Sequence, residues 1–169
     1  RGGNIILARQ LAPRRVCWLY DTFAGMTKPQ AVDVTRSGRC ADYTYQHKTG
    51  AGVKWNGVSV EEVRAYFEET DTLDDSKLRF VVGPVEETLL IAKNLPDQIA
   101  VLRLDTDWYA STKVELEVLY PLLMPGGVLI VDDYGHWLGA QQAVHEYFGN
   151  DMPLLRWIDY TAVSLTKPG

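Results

Sequence analysis

The chain has 169 residues, 46% of them apolar and 23% charged, with a formal net charge of -5, which fits one ordinary globular domain with its own core rather than a disordered or fibrous chain. The acidic balance runs against non-specific nucleic-acid binding, no apolar run approaches the ~18 residues of a membrane span, and Arg1-Gly2-Gly3-Asn4 is not a charged-then-apolar leader. Cys17 and Cys40 are the only cysteines, too few for a disulfide framework or a zinc site, so both read as reduced thiols of a cytoplasmic protein.

In chain order, residues 4–11 carry helical spacing of apolar positions, with Asn4 as a cap and Pro13 as a stop. Val16-Cys17-Trp18-Leu19-Tyr20 is a short apolar run ending at Asp21, as expected of a buried parallel strand. Residues 24–57 lack periodicity and are too long for a plain connector, so they read as a lid or a mobile insertion. Ser59 and Glu62 form a capping box for a helix reaching about Glu69. Further strands are predicted at Leu78–Val82, Ile99–Leu104 and Val128–Val131. Helices are predicted at Glu86–Asn94, Thr112–Leu123 and Leu138–Phe148, with Pro125-Gly126-Gly127 as a turn. Leu154–Ile158 and Ala162–Leu165 suggest a terminal antiparallel hairpin. This alternation predicts a single α/β domain over 1–169: a doubly wound, mostly parallel sheet covered on both faces, of the Rossmann-like kind.

In such a sheet, ligands bind beyond the carboxyl ends of the strands. Here one strand ends at Asp21, another at Asp105-Thr106-Asp107 and a third at Asp132-Asp133, so five carboxylates are expected at one sheet edge. Clustered carboxylates repel one another, and a shared cation resolves the repulsion. Asp105, Asp132 and Asp133 suit a hard divalent ion such as Mg²⁺, with water and substrate oxygens completing the shell. The bland alternative is that each aspartate caps a following helix, but one cap needs one carboxylate. Asp21 fits a hydrogen bond to a ribose, with a simple turn aspartate as the alternative. Gly2 and Gly3, ahead of the first helix, would allow close approach of a ligand, or are an ordinary tail. Trp108, Tyr109, Tyr134, His136 and Trp137 flank the acidic tips and either line a pocket or pack against the lid. His145 reads as surface, His136 as a structural histidine, and His47 as a lid residue of undecided direction.

The run Leu102-Arg103-Leu104-Asp105-Thr106-Asp107-Trp108-Tyr109-Ala110-Ser111-Thr112, followed by Leu119-Tyr120-Pro121 and Gly126-Gly127-Val128-Leu129-Ile130-Val131-Asp132-Asp133-Tyr134-Gly135, resembles the macrocin O-methyltransferase family. The resemblance also takes in Arg1-Gly2-Gly3-Asn4, Asp21-Thr22-Phe23-Ala24-Gly25-Met26 and Ala143-Val144-His145-Glu146-Tyr147. It implies an S-adenosylmethionine-dependent, Mg²⁺-assisted transferase acting on a sugar hydroxyl of a small-molecule acceptor, with no nucleic-acid or membrane partner. It implies Asp105, Asp132 and Asp133 as magnesium ligands and Asp107 as general base. On the cofactor side it implies Gly2, Gly3, Asp21, Asp105 and the segment from Gly83 to Glu87. Pro84 stands where the family often has an acid, which weakens an adenine contact there.

The family pattern places a strand and a Glu-x-Gly-type turn before Arg-Gly-Gly. The first strand is therefore expected to be missing from 1–169, which would weaken S-adenosylmethionine binding by this chain alone, and exposed sheet edges would favour a homo-oligomer. The rival readings are an inactive truncated fragment, a metal-dependent phosphatase using the Asp-x-Asp and Asp-Asp pairs, a nicotinamide dehydrogenase lacking its full glycine turn, and a metal-dependent glycosyltransferase.

Overall fold

The computed structural model describes residues 2–50 and 54–169; Arg1 and residues 51–53 of the lid segment lie outside the described residues. The chain divides into two compact units, Arg1–Thr27 with Lys54–Pro84, and Lys28–Val53 with Val85–Gly169.

In the first unit, α1 (Gly3–Leu11) leads to β1 (Cys17–Asp21), and α3 (Val60–Glu69) leads to β2 (Leu78–Val82). β1 and β2 pair in parallel from Cys17–Leu78 to Asp21–Val82. The apolar spacing on α3 buries Val63 and Phe67 against Leu19 and Leu78, with Ile5, Ile6 and Phe80 packed around them. The predicted capping box forms: Ser59 Oγ accepts from the Glu62 amide at 3.1 Å, and Glu62 accepts from the Ser59 amide at 2.8 Å.

In the second unit, β3 (Ile99–Leu104) runs parallel to β4 (Leu123–Val131), which pairs antiparallel with β6 (Val163–Thr166), itself antiparallel to β5 (Arg156–Trp157). The terminal hairpin is thus present. Helices α5 (Tyr109–Leu119) and α6 (Leu138–Phe148) bury Leu116, Leu119, Ala143 and Val144. The short helix α4 spans Val85–Thr88.

Three expectations change. The strands form two separate sheets, β1-β2 and β3-β4-β6-β5, rather than one doubly wound sheet. Among the described strands β1 bonds only to β2 and β3 only to β4, so none joins the two ladders. Coverage of both faces is also incomplete, since Val101 in β3 is 63% exposed. Pro125-Gly126-Gly127 lies inside β4 and not before it, with the irregularity absorbed by a register shift opposite Ile99 and Val101.

The stretch read as aperiodic contains α2 (Ala41–Thr49). Weak amphipathicity hides it: eight of its nine residues, ADYTYQHKT, are polar or tyrosine, and only Ala41 is buried. Its lead-in is held to α6. Thr35 bridges Trp137, and the Leu138 amide donates to the Val34 carbonyl at 2.8 Å.

Candidate active site

The register of β3 and β4 pairs Leu104 with Val131, so both strands end at one level. The Asp132 amide still donates to the Leu104 carbonyl at 3.0 Å. Asp105-Thr106-Asp107 and Asp132-Asp133 therefore leave the sheet side by side. One carboxylate oxygen each from Asp105, Asp107 and Asp133 lies within 4.8 Å of the others.

Asp132, expected as a metal ligand beside Asp105 and Asp133, pairs with an arginine here. Its Oδ1 meets Arg103 Nη2 at 2.7 Å, while Arg103 Nη1 reaches Asp105 Oδ2 at 2.6 Å. Arg103 sits two residues before Asp105 on the same face of β3, as strand period dictates. The oxygen triangle thus gathers Asp107, the expected base, with Asp105 and Asp133, while Asp132 is engaged by arginine.

The electrostatics show a site short of positive charge. Burial, helped by the charges of Asp132 and Asp133 and opposed by Arg103, pushes Asp105 up to about 7. Burial and the neighbouring Asp133 charge hold Asp107 well above the ordinary carboxylate range, against a hydrogen bond from Trp137. Burial also raises Asp133, opposed by its hydrogen bond with Asp107. Carboxyls whose proton affinity is raised by burial and by one another's charge are a donor set that a divalent cation would satisfy, and all-oxygen donors fit a hard ion. The residues present therefore fit Mg²⁺.

The backbone here is unusual. Asp107 has φ +67°, rare for a residue with a side chain. The Trp108 amide closes back onto the Thr106 carbonyl at 2.8 Å, so Asp107 heads a three-residue turn. Such strain persists only where the surroundings hold it. Trp108 and Trp137 are both buried and meet edge to face at 5.1 Å between ring centres. Tyr134 is buried as well. Tyr134 packs against His145 and Trp157, while Tyr109 reaches to Glu146 at 2.7 Å.

His136 packs edge-on against Trp137. His145 is exposed, as expected, though its Nε2 lies 2.7 Å from the Tyr134 hydroxyl. His47 turns its Nδ1 to the Tyr43 carbonyl of its own helix at 2.7 Å.

Two residues went unmarked in the sequence. Asp33, fully buried, accepts from the amides of Gln30 at 2.7 Å and Tyr109 at 2.8 Å. It caps the first turn of α5 from 76 positions away, and no local signal could reveal that. Glu115, on α5 and 4% exposed, accepts from the Thr106 hydroxyl at 2.8 Å. Its helical spacing from Ser111 was the available clue.

On the cofactor side, Gly2 begins α1 with φ +75°, and a Cβ there would press on Val63 at 3.3 Å. Gly3 faces open space. The first turn of α1 has no side-chain cap and no acid, which leaves a helix N-terminus suited to a carboxylate. Asp21 is exposed and accepts from the Phe23 amide at 2.8 Å, while its carbonyl takes the Gly83 amide at 2.9 Å. Gly83, at φ +133°, thus lies beside Asp21 at the ends of β1 and β2. Asp21 belongs to the two-stranded sheet, so the five acids do not share one sheet edge as expected; four come from the other sheet. Glu87 is exposed on α4 in the second unit. An exposed carboxylate and an uncapped glycine-led helix fit a nucleoside-bearing amino acid such as S-adenosylmethionine.

Residues 1–167 match the family described as Macrocin-O-methyltransferase (TylF). The chain belongs to the macrocin-O-methyltransferase family. It is 38% identical over 155 residues to the 8-demethyl-8-(2,3-dimethoxy-alpha-L-rhamnosyl)-tetracenomycin-C 4'-O-methyltransferase of Streptomyces olivaceus, covering 88% of this chain and 55% of that protein. It is 37% identical to the demethyldecarbamoylnovobiocin O-methyltransferase of Streptomyces niveus, covering 87% of this chain and 54% of that protein. The chain thus spans about half the length of these curated relatives. Among solved structures, the O-methyltransferase NovP superposes with a TM-score of 0.80 at 33% identity, covering 99% of this chain and 68% of that one. The calicheamicin methyltransferase CalS11 shares the fold, with a TM-score of 0.67 at 22% identity. As a macrocin-O-methyltransferase family member, the chain has at least one relative whose matched region folds alike almost end to end. Among the described residues no helix is long and apolar enough to cross a membrane.

Proposed function

We propose that this chain carries the catalytic acids of an S-adenosylmethionine-dependent, Mg²⁺-assisted O-methyltransferase that acts on a sugar hydroxyl of a glycosylated small molecule. The observation that carries this reading is the meeting of Asp105, Asp107 and Asp133 within 4.8 Å at the ends of two parallel strands, in a chain of this family. Asp105 and Asp133 would hold the ion, with Asp132 beside them on Arg103. A bound Mg²⁺ supplies Lewis acidity that lowers the pKa of a coordinated hydroxyl, and S-adenosylmethionine supplies the sulfonium methyl.

The chain's own residues supply position and proton handling. Asp107, raised in proton affinity by burial and by Asp133, takes the proton of the acceptor hydroxyl at its carboxylate oxygen. The Trp137 indole N–H fixes that carboxylate's direction. Arg103 keeps Asp105 and Asp132 from collapsing apart before ligands arrive. Gly2, Gly3, Asp21 and Gly83, all of the first unit, are proposed for the cofactor's amino acid and ribose. Most acceleration then comes from alignment of the two reactants.

The test is methyl transfer by the full-length protein from S-adenosylmethionine to glycosides with free sugar hydroxyls. Chelation by EDTA and Asp105→Ala should each abolish turnover, and activity indifferent to both would sink the proposal. Release of inorganic phosphate from phosphate esters would restore the phosphatase reading, which the family match runs against.

A further inference from the structure

Glu115 is a buried acid that the proposed chemistry leaves without a part. Its Oε2 lies 2.8 Å from Thr106 Oγ1, and it is 4% exposed. Thr106 stands between the two acids of the Asp-x-Asp pair. Its neighbours turn into the oxygen triangle, while its hydroxyl runs the opposite way, to α5. Its carbonyl is held from the same helix by the Ser111 hydroxyl, which donates to it at 3.2 Å, and within the turn by the Trp108 amide at 2.8 Å. Ser111 and Glu115 are one helical turn apart and present one face.

The residue so gripped precedes Asp107, whose φ of +67° is uncommon for any residue with a side chain. A buried glutamate is a costly choice for holding a threonine, because an apolar residue would cost less. Glu115 therefore points to a task that geometry alone requires. We infer that Glu115, with Ser111, is a positioning residue that clamps Thr106 and so fixes the strained turn aiming Asp107 at Asp105 and Asp133. This rests on the reading of those three acids as the ion and proton site.

The experiment has two arms, both on the full-length protein. Calorimetric titration with Mg²⁺ compares wild type, Thr106→Val, Glu115→Leu and Glu115→Gln. Thr106→Val and Glu115→Leu should weaken Mg²⁺ binding about tenfold or more, as loss of a partner behind a ligand does. Glu115→Gln keeps an acceptor for the hydroxyl and should stay within about threefold of wild type.

The second arm needs no metal: hydrogen exchange at the Trp108 amide, which closes the turn. It should quicken several-fold in Thr106→Val and Glu115→Leu but not in Glu115→Gln. Wild-type exchange at Trp108 in both disruptive variants would overturn the clamp. A wild type that binds no Mg²⁺, but whose Trp108 exchange responds as expected, would instead overturn the ion reading and leave the clamp standing. Should Glu115→Leu fail to fold, Thr106→Val, which removes only the hydroxyl, decides the matter.

Discussion

Replacing Glu115 with glutamine should stabilise the protein at neutral pH, and by an amount that depends on pH. Burial pushes this carboxyl up to about 8 from an ordinary 4.5, with the Thr106 hydrogen bond acting the other way. Between those values the folded protein holds a proton that the unfolded chain has released. The folded state then binds more protons than the unfolded state, so stability falls as pH rises through that window. Each pH unit above 4.5 costs about 1.4 kcal/mol, so at pH 7 the native glutamate carries a penalty of about 3 kcal/mol. Glutamine matches the neutral acid in shape, still accepts from Thr106 and never ionises. Glu115→Gln should therefore gain about 3 kcal/mol at pH 7 and nothing near pH 4. In melting temperature the gain is about 6–12 °C for a domain of this size. Urea denaturation at pH 4, 6 and 7 measures it directly. Asp105, Asp107 and Asp133 titrate in both proteins and cancel in the difference. A stability difference that does not grow between pH 4 and pH 7 would refute the argument, because it would mean Glu115 ionises freely in the folded state.

Gly139→Ala should destabilise by about 2–4 kcal/mol in the same assay, because a Cβ there collides with the Asp33 carboxylate that holds the Tyr109 and Gln30 amides. Ser59→Ala should cost about 1 kcal/mol through loss of the α3 capping box, read by thermal melting. Asp107→Asn should lower kcat at saturating acceptor by about 10²–10⁴-fold with little change in melting temperature; an unaltered kcat would remove Asp107 from proton transfer.

What the sequence disclosed and what it hid divide along a physical line. Interactions confined to a few neighbours were legible: the Ser59–Glu62 box, the helix over Leu138–Phe148, and the acids left where apolar runs stop. The strand ends were legible too, since Leu104 and Val131 terminate largely apolar runs and fix where Asp105 and Asp132 emerge. Interactions across sequence were not. Asp33 lies in a stretch without period, yet it caps a helix 76 positions away, and its meaning exists only once Gly139 and Tyr109 are placed around it. α2 escaped because a helix with little apolar surface carries little periodic signal. The partition of the aspartates was hidden for a third reason. Spacing places Asp132 and Asp133 together, but their different partners depend on side chains brought in by β3. Asp132 meets Arg103 of that strand, and Asp133 meets Asp107 just beyond it.

That partition bears on how the site is kept ready. Four acids at the ends of two strands would drive the loops apart if all were ionised. Arg103 neutralises one side of the group, bridging Asp105 and Asp132. Burial raises the proton affinity of the other side, at Asp107 and Asp133. The two devices have different consequences for a ligand. An arginine can yield one carboxylate to an incoming cation while keeping the other, whereas a shared proton must leave before a cation can occupy its place. Cation binding at this centre should therefore release protons, and it should strengthen as pH rises through about 7, where Asp105 loses its own. Calorimetry in buffers of different ionisation enthalpy counts those protons. Binding of Mg²⁺ with no proton release at pH 6 would mean that the aspartates are already ionised, and the crowding argument for a cation would fall with it.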